Sequence, residues 1–324
     1  MIANLYLHTE SFKYNGKDSL SDVVDKLKNL IKDLRDIIYQ YSNENIFKIP
    51  TEMFSCPVYK TQTIVEFAAE NLDGEQCSIL YSMFANTSDD YSINYEDLRQ
   101  KCQYCKNEIE VNSIVVLNCE NVTTNKSTYN QDAYIQFDNY EIVYNRQSWK
   151  TLRRQILGNH PGTPQDFITE CRKYFDILYI NDNCVKSLSS SNFLETIPRK
   201  IIYYLSCLND VFFKVKERHT KQDKDANSIL EDFSGEFGLD EPGSLERNPQ
   251  KKPSLTFLFN IEDETKNNHI HKILCEPHLK ISKADDNYSS STINYRTFHP
   301  RIYFNFDHPD FPGKIFIGSI GPHL

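Results

Sequence analysis

No stretch of the 324-residue sequence holds the roughly 18 uninterrupted apolar residues that a membrane-spanning helix needs, so neither a membrane segment nor a membrane partner is expected. The opening Met1-Ile2-Ala3-Asn4-Leu5-Tyr6-Leu7-His8 has no basic region followed by a long apolar stretch, which argues against a signal peptide and for a cytoplasmic protein. Positive charge is short as well: 36 Lys and Arg against 45 Asp and Glu leave a net charge of −9. That balance excludes a protein that coats nucleic acid non-specifically, because such binding is driven by neutralising phosphates, but it leaves room for a local site. There is no Gly-rich phosphate loop followed by Lys and Ser or Thr, no Gly-x-Ser-x-Gly elbow and no dinucleotide fingerprint, and no cofactor is expected. Nine scattered cysteines, an odd number, form no disulfide framework and point to a reducing compartment.

The chain is rich in aromatic residues, with 20 Phe and 20 Tyr and a hydrophobic fraction of 39%, which describes a globular protein and not a disordered one. Its length exceeds the roughly 100–150 residues of a common single domain, so two parts are expected. Leu20, Val23, Val24, Leu27, Leu30, Ile31, Leu34, Ile37 and Ile38 recur at three- and four-residue steps and predict a helix that Ser19 or Ser21 caps. Residues 62–84 read as two helices divided near Asp73-Gly74, residues 109–118 as a strand, and residues 133–144 as a hairpin around Asp138-Asn139. Ser148 reads as the cap of a helix over Trp149–Leu157, and Pro164 suits the first turn of the next. The segment from Ile197 to Phe213 is apolar on nearly every side, as a buried helix is.

Residues 234–252 change character, with Gly235, Gly238, Pro242, Gly243 and Pro249 among charges, and read as a linker. The expected class is α+β: a mostly helical part with a small sheet over 1–233, the linker 234–252, and a compact antiparallel β-rich unit over 253–324. The acidic excess belongs to the first part, since residues 252–324 hold eight acids and eight Lys or Arg.

Six of the nine histidines, from His269 to His323, fall in the last 56 residues. Imidazole both gives and takes a proton near neutral pH, so the clustering marks the C-terminal unit for chemistry. In Glu276-Pro277-His278-Leu279-Lys280 strand alternation puts His278 and Lys280 on one face, and Arg301 and Tyr303 share a face of the next strand. The last strand delivers His323. If these strands are neighbours, His278, Lys280, Arg301, Tyr303 and His323 form one catalytic set, able to stabilise a phosphorane-like transition state and to move protons, as RNA cleavage through the 2′-OH requires.

The same residues, with Tyr295-Arg296 before Pro300-Arg301-Ile302-Tyr303-Phe304 and then Lys314-Ile315-Phe316-Ile317-Gly318-Ser319-Ile320, resemble the sheet half of RelE/ParE-type bacterial toxins. The resemblance implies a curved antiparallel sheet with helices on one side, and a target in ribosome-bound mRNA or gyrase. It also implies that Arg301 matches the family's strand arginine and His323 its C-terminal catalytic position.

Rival uses of these side chains are fewer. His269-Ile270-His271, with Cys275 and His278 nearby, lacks the paired spacing of a structural zinc site. Cys102-Gln103-Tyr104-Cys105 is half of a zinc or redox motif, with no second pair and no βαβ pattern around it. Glu262-Asp263-Glu264-Thr265-Lys266 reads as a turn and not as a nuclease strand. Trp149, Arg153 and Arg154, with Arg296 in the C-terminal unit, are the candidate nucleic-acid contacts, through stacking and phosphate pairing. The expected function is a metal-independent endoribonuclease effector of a toxin or anti-phage system, with RNA as substrate and an inhibitor or complex subunit as protein partner. The alternative is a non-catalytic interaction subunit of a defence assembly.

Overall fold

The computed structural model describes residues 3–85, 111–115, 142–143, 145–222, 225–262, 268–282 and 299–324. The chain is α+β and divides into two compact units, with the boundary at Arg153/Arg154. It therefore falls inside a helix and not in the 234–252 segment that composition marks.

In the first unit β1 (Ala3–Leu7) is central to a four-stranded parallel sheet, flanked by β2 (Asn45–Lys48) and β5 (Val111–Val115), with β6 (Ile142–Val143) beyond β5. Helix α1 (Leu20–Tyr39) is the crossover between β1 and β2. Its Val23, Leu27, Leu30, Ile31, Leu34 and Ile37 are buried, as the periodicity predicts, and Ser19 exchanges hydrogen bonds with Asp22 at its start. The first unit thus contains a βαβ unit, with β1 and β2 as parallel neighbours. The small hairpin β3 (Pro57–Tyr59) and β4 (Gln62–Thr63) leads into α2 (Ile64–Asn71), which opens on a Thr63–Glu66 capping box. The next helix, α3 (Gly74–Ala85), follows after Asp73, so the expected division near Gly74 is observed.

Helix α4 (Arg146–Asn159) starts three residues before Trp149, because Asn145, not Ser148, is its cap: Asn145 Oδ1 accepts from Ser148 N at 2.8 Å. The second unit continues with α5 (Pro164–Tyr174), β7 (Leu178–Ile180), α6 (Asn183–Ser189) and α7 (Pro198–Asp210). Helix α8 (Phe212–Thr220) restarts after Val211, so the apolar run from Ile197 to Phe213 is two helices, and α9 (Ala226–Glu236) follows.

The C-terminal sheet has five strands in the order β7-β13-β12-β11-β8, built from β8 (Ser244–Leu245), β11 (Pro277–Lys280), β12 (Arg301–Asn305) and β13 (Ile315–Gly321). It is mixed and not wholly antiparallel, since β7 runs parallel to β13. Its two edge strands come from before residue 253, and the 234–252 segment, expected as a linker, supplies the end of α9 and all of β8. One face, with Leu279 and Phe304, packs on α8 and α9, where Phe212 lies 5.0 Å from Phe233 and 5.8 Å from Phe304 between ring centroids. The other face is covered by the hairpin β9 (Thr256–Glu262) and β10 (Asn268–Leu274), whose Phe257, Phe259, Ile261 and Ile273 form a core with Tyr303 and Phe316. Gly318 is the extra residue of a bulge opposite Tyr303/Phe304, and it permits that contact: a Cβ there would stand 2.3 Å from the Phe257 ring.

Among the described residues, no helix is long and apolar enough to cross a membrane. The hairpin expected around Asp138-Asn139, the Cys102/Cys105 pair, Cys119, Arg296 and residues 263–266 lie outside the described residues.

Candidate functional site

Strand alternation and register together build the site. In the β11–β12 ladder His278 pairs with Tyr303 and Lys280 with Arg301, so these four residues share one face. The His278 and Tyr303 rings lie 5.1 Å apart, and both are buried, at 3% and 0% exposure. Strand β8 on the far side of β11 puts Ser244 opposite His278, with Ser244 Oγ 3.3 Å from His278 Nε2. On the other side, β12 pairs Arg301 with Gly321. The residues that follow bring Leu324 N within 3.4 Å of the Tyr303 hydroxyl, which accepts its hydrogen bond.

His323, exposed, completes the set through two residues that the sequence pattern did not single out. Lys251 Nζ lies 3.1 Å from His323 Nδ1 and donates to the Leu324 carbonyl at 2.7 Å, while Glu246 Oε2 lies 3.8 Å from His323 Nε2. Ser244, Glu246 and Lys251 all fall in the apparent linker, where turn-forming composition hides a two-residue strand and a 3-10 turn at Pro249–Leu255. The only signal available there was the pair Lys251-Lys252 held between Pro249 and Pro253.

The electrostatics follow from burial and from this crowd of cations. Burial, helped by the charges of Arg301 and Lys280, pushes His278 down to about 4, so its imidazole is neutral at pH 7. Burial raises the Tyr303 phenol above its ordinary value. The His323 imidazole is lowered, first by burial and then by Arg301 and Lys251, against the pull of Glu246. Burial works to raise the Glu246 carboxyl, but the Asn248 N–H and the charges of Lys251, His278 and His323 hold it below its usual range. Arg301 Nε is enclosed without a hydrogen-bond acceptor, which costs about 1–3 kcal/mol for a buried polar group. The result is a neutral histidine, a protonated phenol and an accessible histidine around an under-compensated guanidinium.

The other expected contacts resolve differently. Trp149, Arg153 and Arg154 form no exposed nucleic-acid patch, nor a solvated helix side: their exposures are 0%, 3% and 1%. Trp149 Nε1 donates to Asn45 Oδ1 at 3.2 Å, and Arg153 pairs with Glu44 at 3.2 Å. In the second unit Arg154 donates to the Tyr174 carbonyl at 2.7 Å, pairs with Asp210 at 2.7 Å and lies over the Phe175 ring. Buried charges of this kind survive only with such partners, so these cations hold the fold and leave nothing for a phosphate. The His271 ring meets Phe311 edge-on and the His308 ring packs on it at a tilt, and among the described residues no group of three or more His, Cys, Asp or Glu is placed to hold a metal ion.

Comparison of the chain with protein-family models, with curated proteins and with solved structures gives no match, so the functional reading rests on this cluster.

Proposed function

We propose that the protein is a metal-independent endoribonuclease effector, of the kind used by bacterial toxins or anti-phage systems, with its site on the β11–β12–β13 face. The observation that carries this reading is the convergence of His278, Lys280, Arg301, Tyr303 and His323, from three strands and the residues after them, at one place in the sheet. RNA supplies its own nucleophile: the 2′-OH loses its proton and attacks the adjacent phosphorus, and the 5′-oxygen leaves with a proton. Catalysis then needs cations on the phosphate oxygens and a proton acceptor and donor on opposite sides of it. Lys280 and Arg301 fill the first role. His278, on the closed side of the cluster, and His323, on the open side, fill the second, with the Tyr303 phenol between the strands that carry them.

A second reading, a non-catalytic subunit of a multiprotein assembly, is favoured by different residues. The outer face of the β9–β10 hairpin leaves Leu258 58% and Ile270 71% exposed. Tyr303, moreover, is wholly enclosed in a core.

Expression in a bacterial host of the wild type and of His278→Ala, Arg301→Ala and His323→Ala, with total RNA examined after induction, separates the two. Growth arrest with RNA cleavage that disappears in folded variants is the expected result. Intact RNA in the host and with purified protein moves the assignment to the interaction subunit.

A further inference from the structure

Lys280 and Arg301 stand directly opposite each other on one face of an antiparallel ladder, where side chains start roughly 4.5–5.5 Å apart. Like charges so placed repel, and among the described residues neither cation has a carboxylate partner. Both are only half-buried, so a solute can reach them. A guanidinium fork beside an ammonium suits the tetrahedral oxygens of a phosphate group, which would relieve the repulsion and give the enclosed Arg301 Nε side an anion to face.

His278 lies on the same face, one step along the ladder. It is surrounded by Tyr303 and Arg301 on β12, by Lys280 and the Glu276 carbonyl on its own segment, and by Ser244 and Glu246 on and after β8. We infer that Lys280 and Arg301 form a phosphate clamp whose occupancy arms His278, so that the histidine takes up a proton more readily while a phosphate group sits between the two cations. This uses the side chains of the proposed ribonuclease site but does not depend on RNA being cut. With the clamp empty, two positive charges disfavour a third on the imidazole; with it filled, that opposition is cancelled and the phosphate's own charge favours the imidazolium.

The test is a titration of the His278 ring by NMR in the full chain, with inorganic phosphate against chloride at equal ionic strength. Phosphate should move the midpoint upward by about one pH unit, the effect of an opposite charge brought within a few ångströms. Lys280→Gln should lose most of this response. Lys280→Glu should show the raised midpoint without phosphate and no further change with it, because the new carboxylate pairs with Arg301 as the phosphate would. A wild-type midpoint that is the same in phosphate and in chloride overturns the inference, since it means that the two cations are compensated by the chain itself. So does a Lys280→Glu variant that is folded yet keeps the wild-type midpoint. A 2′-deoxy dinucleotide, which cannot be cut through a 2′-OH, separates the two sources of phosphate. If it matches inorganic phosphate, the clamp accepts a phosphodiester. If only inorganic phosphate acts, the inference stands and the ribonuclease reading fails.

Discussion

At the scale of single residues, strand alternation carried the site reading and burial limited it. The i, i+2 rule put His278 with Lys280 and Arg301 with Tyr303, and the β11–β12 register adds that the two pairs face each other. What a period of two does not reveal is depth: Tyr303 is enclosed because the β9–β10 hairpin packs on it, and that is a long-range contact. The same limit explains Arg153 and Arg154, which look like a solvated helix side until helices α5 and α7 and the Glu44 turn are in place. Depth has a measurable consequence at His278. The unfolded chain's histidine titrates near 6.5 and the folded one at about 4, so between these values the unfolded chain binds a proton that the native protein does not. Stability is therefore full above about pH 6.5, falls as the pH drops through this window, and levels off below about 4, with about 3 kcal/mol at stake. Urea denaturation from pH 7 to pH 4.5 should show this loss, and His278→Gln should flatten the slope whatever it does to stability at pH 7. An unchanged slope in the variant would place the acid sensitivity in other groups.

At the scale of elements, long periodic segments were legible and short strands were not. Helix α1 and the helix opened by Pro164 stand where the sequence puts them, because periodicity over many residues and local caps both act within one element. The strands β7 and β8, three and two residues long, carry no usable alternation and exist because a neighbouring strand offers them hydrogen bonds. The bulge at Gly318 is a similar case: nothing in Phe316-Ile317-Gly318-Ser319 announces that Phe257 will fill the space a side chain would occupy. Gly318→Ala would place a Cβ 2.3 Å from the Phe257 ring and 2.9 Å from Cys275 Sγ, so the hairpin must shift. A loss of about 1–3 kcal/mol is expected in denaturant unfolding, as for other overpacked cores. Pairing it with Phe257→Leu should recover part of that loss, a non-additivity that marks direct contact. If the double variant is as unstable as the sum of the two, the hairpin is not seated on Gly318.

At the scale of the whole molecule, composition located the boundary in the wrong place for a physical reason. Gly, Pro and charge mark where a chain turns, and 234–252 does turn, but a turn inside a sheet has the same composition as a linker between domains. The real division falls within α4, whose unbroken helical pattern conceals it. The two schemes make opposite predictions about what folds alone. A fragment of residues 253–324 lacks β7 and β8, both edges of the sheet, and lacks α8 and α9, so Leu279, Ile302 and Phe304 would be bared on one face. Residues 154–324 keep all five strands, both covering layers and the Arg154–Asp210 pair. Cooperative thermal unfolding followed by circular dichroism is expected for 154–324, and no cooperative transition for 253–324. Since the site draws Ser244, Glu246 and Lys251 from before residue 253, the shorter piece could not hold His278 and His323 in the same cluster even if it formed a sheet. A cooperative transition in the 253–324 fragment would restore the boundary that composition suggests, and would show that β8 and the turn after it are dispensable to the folding of the sheet.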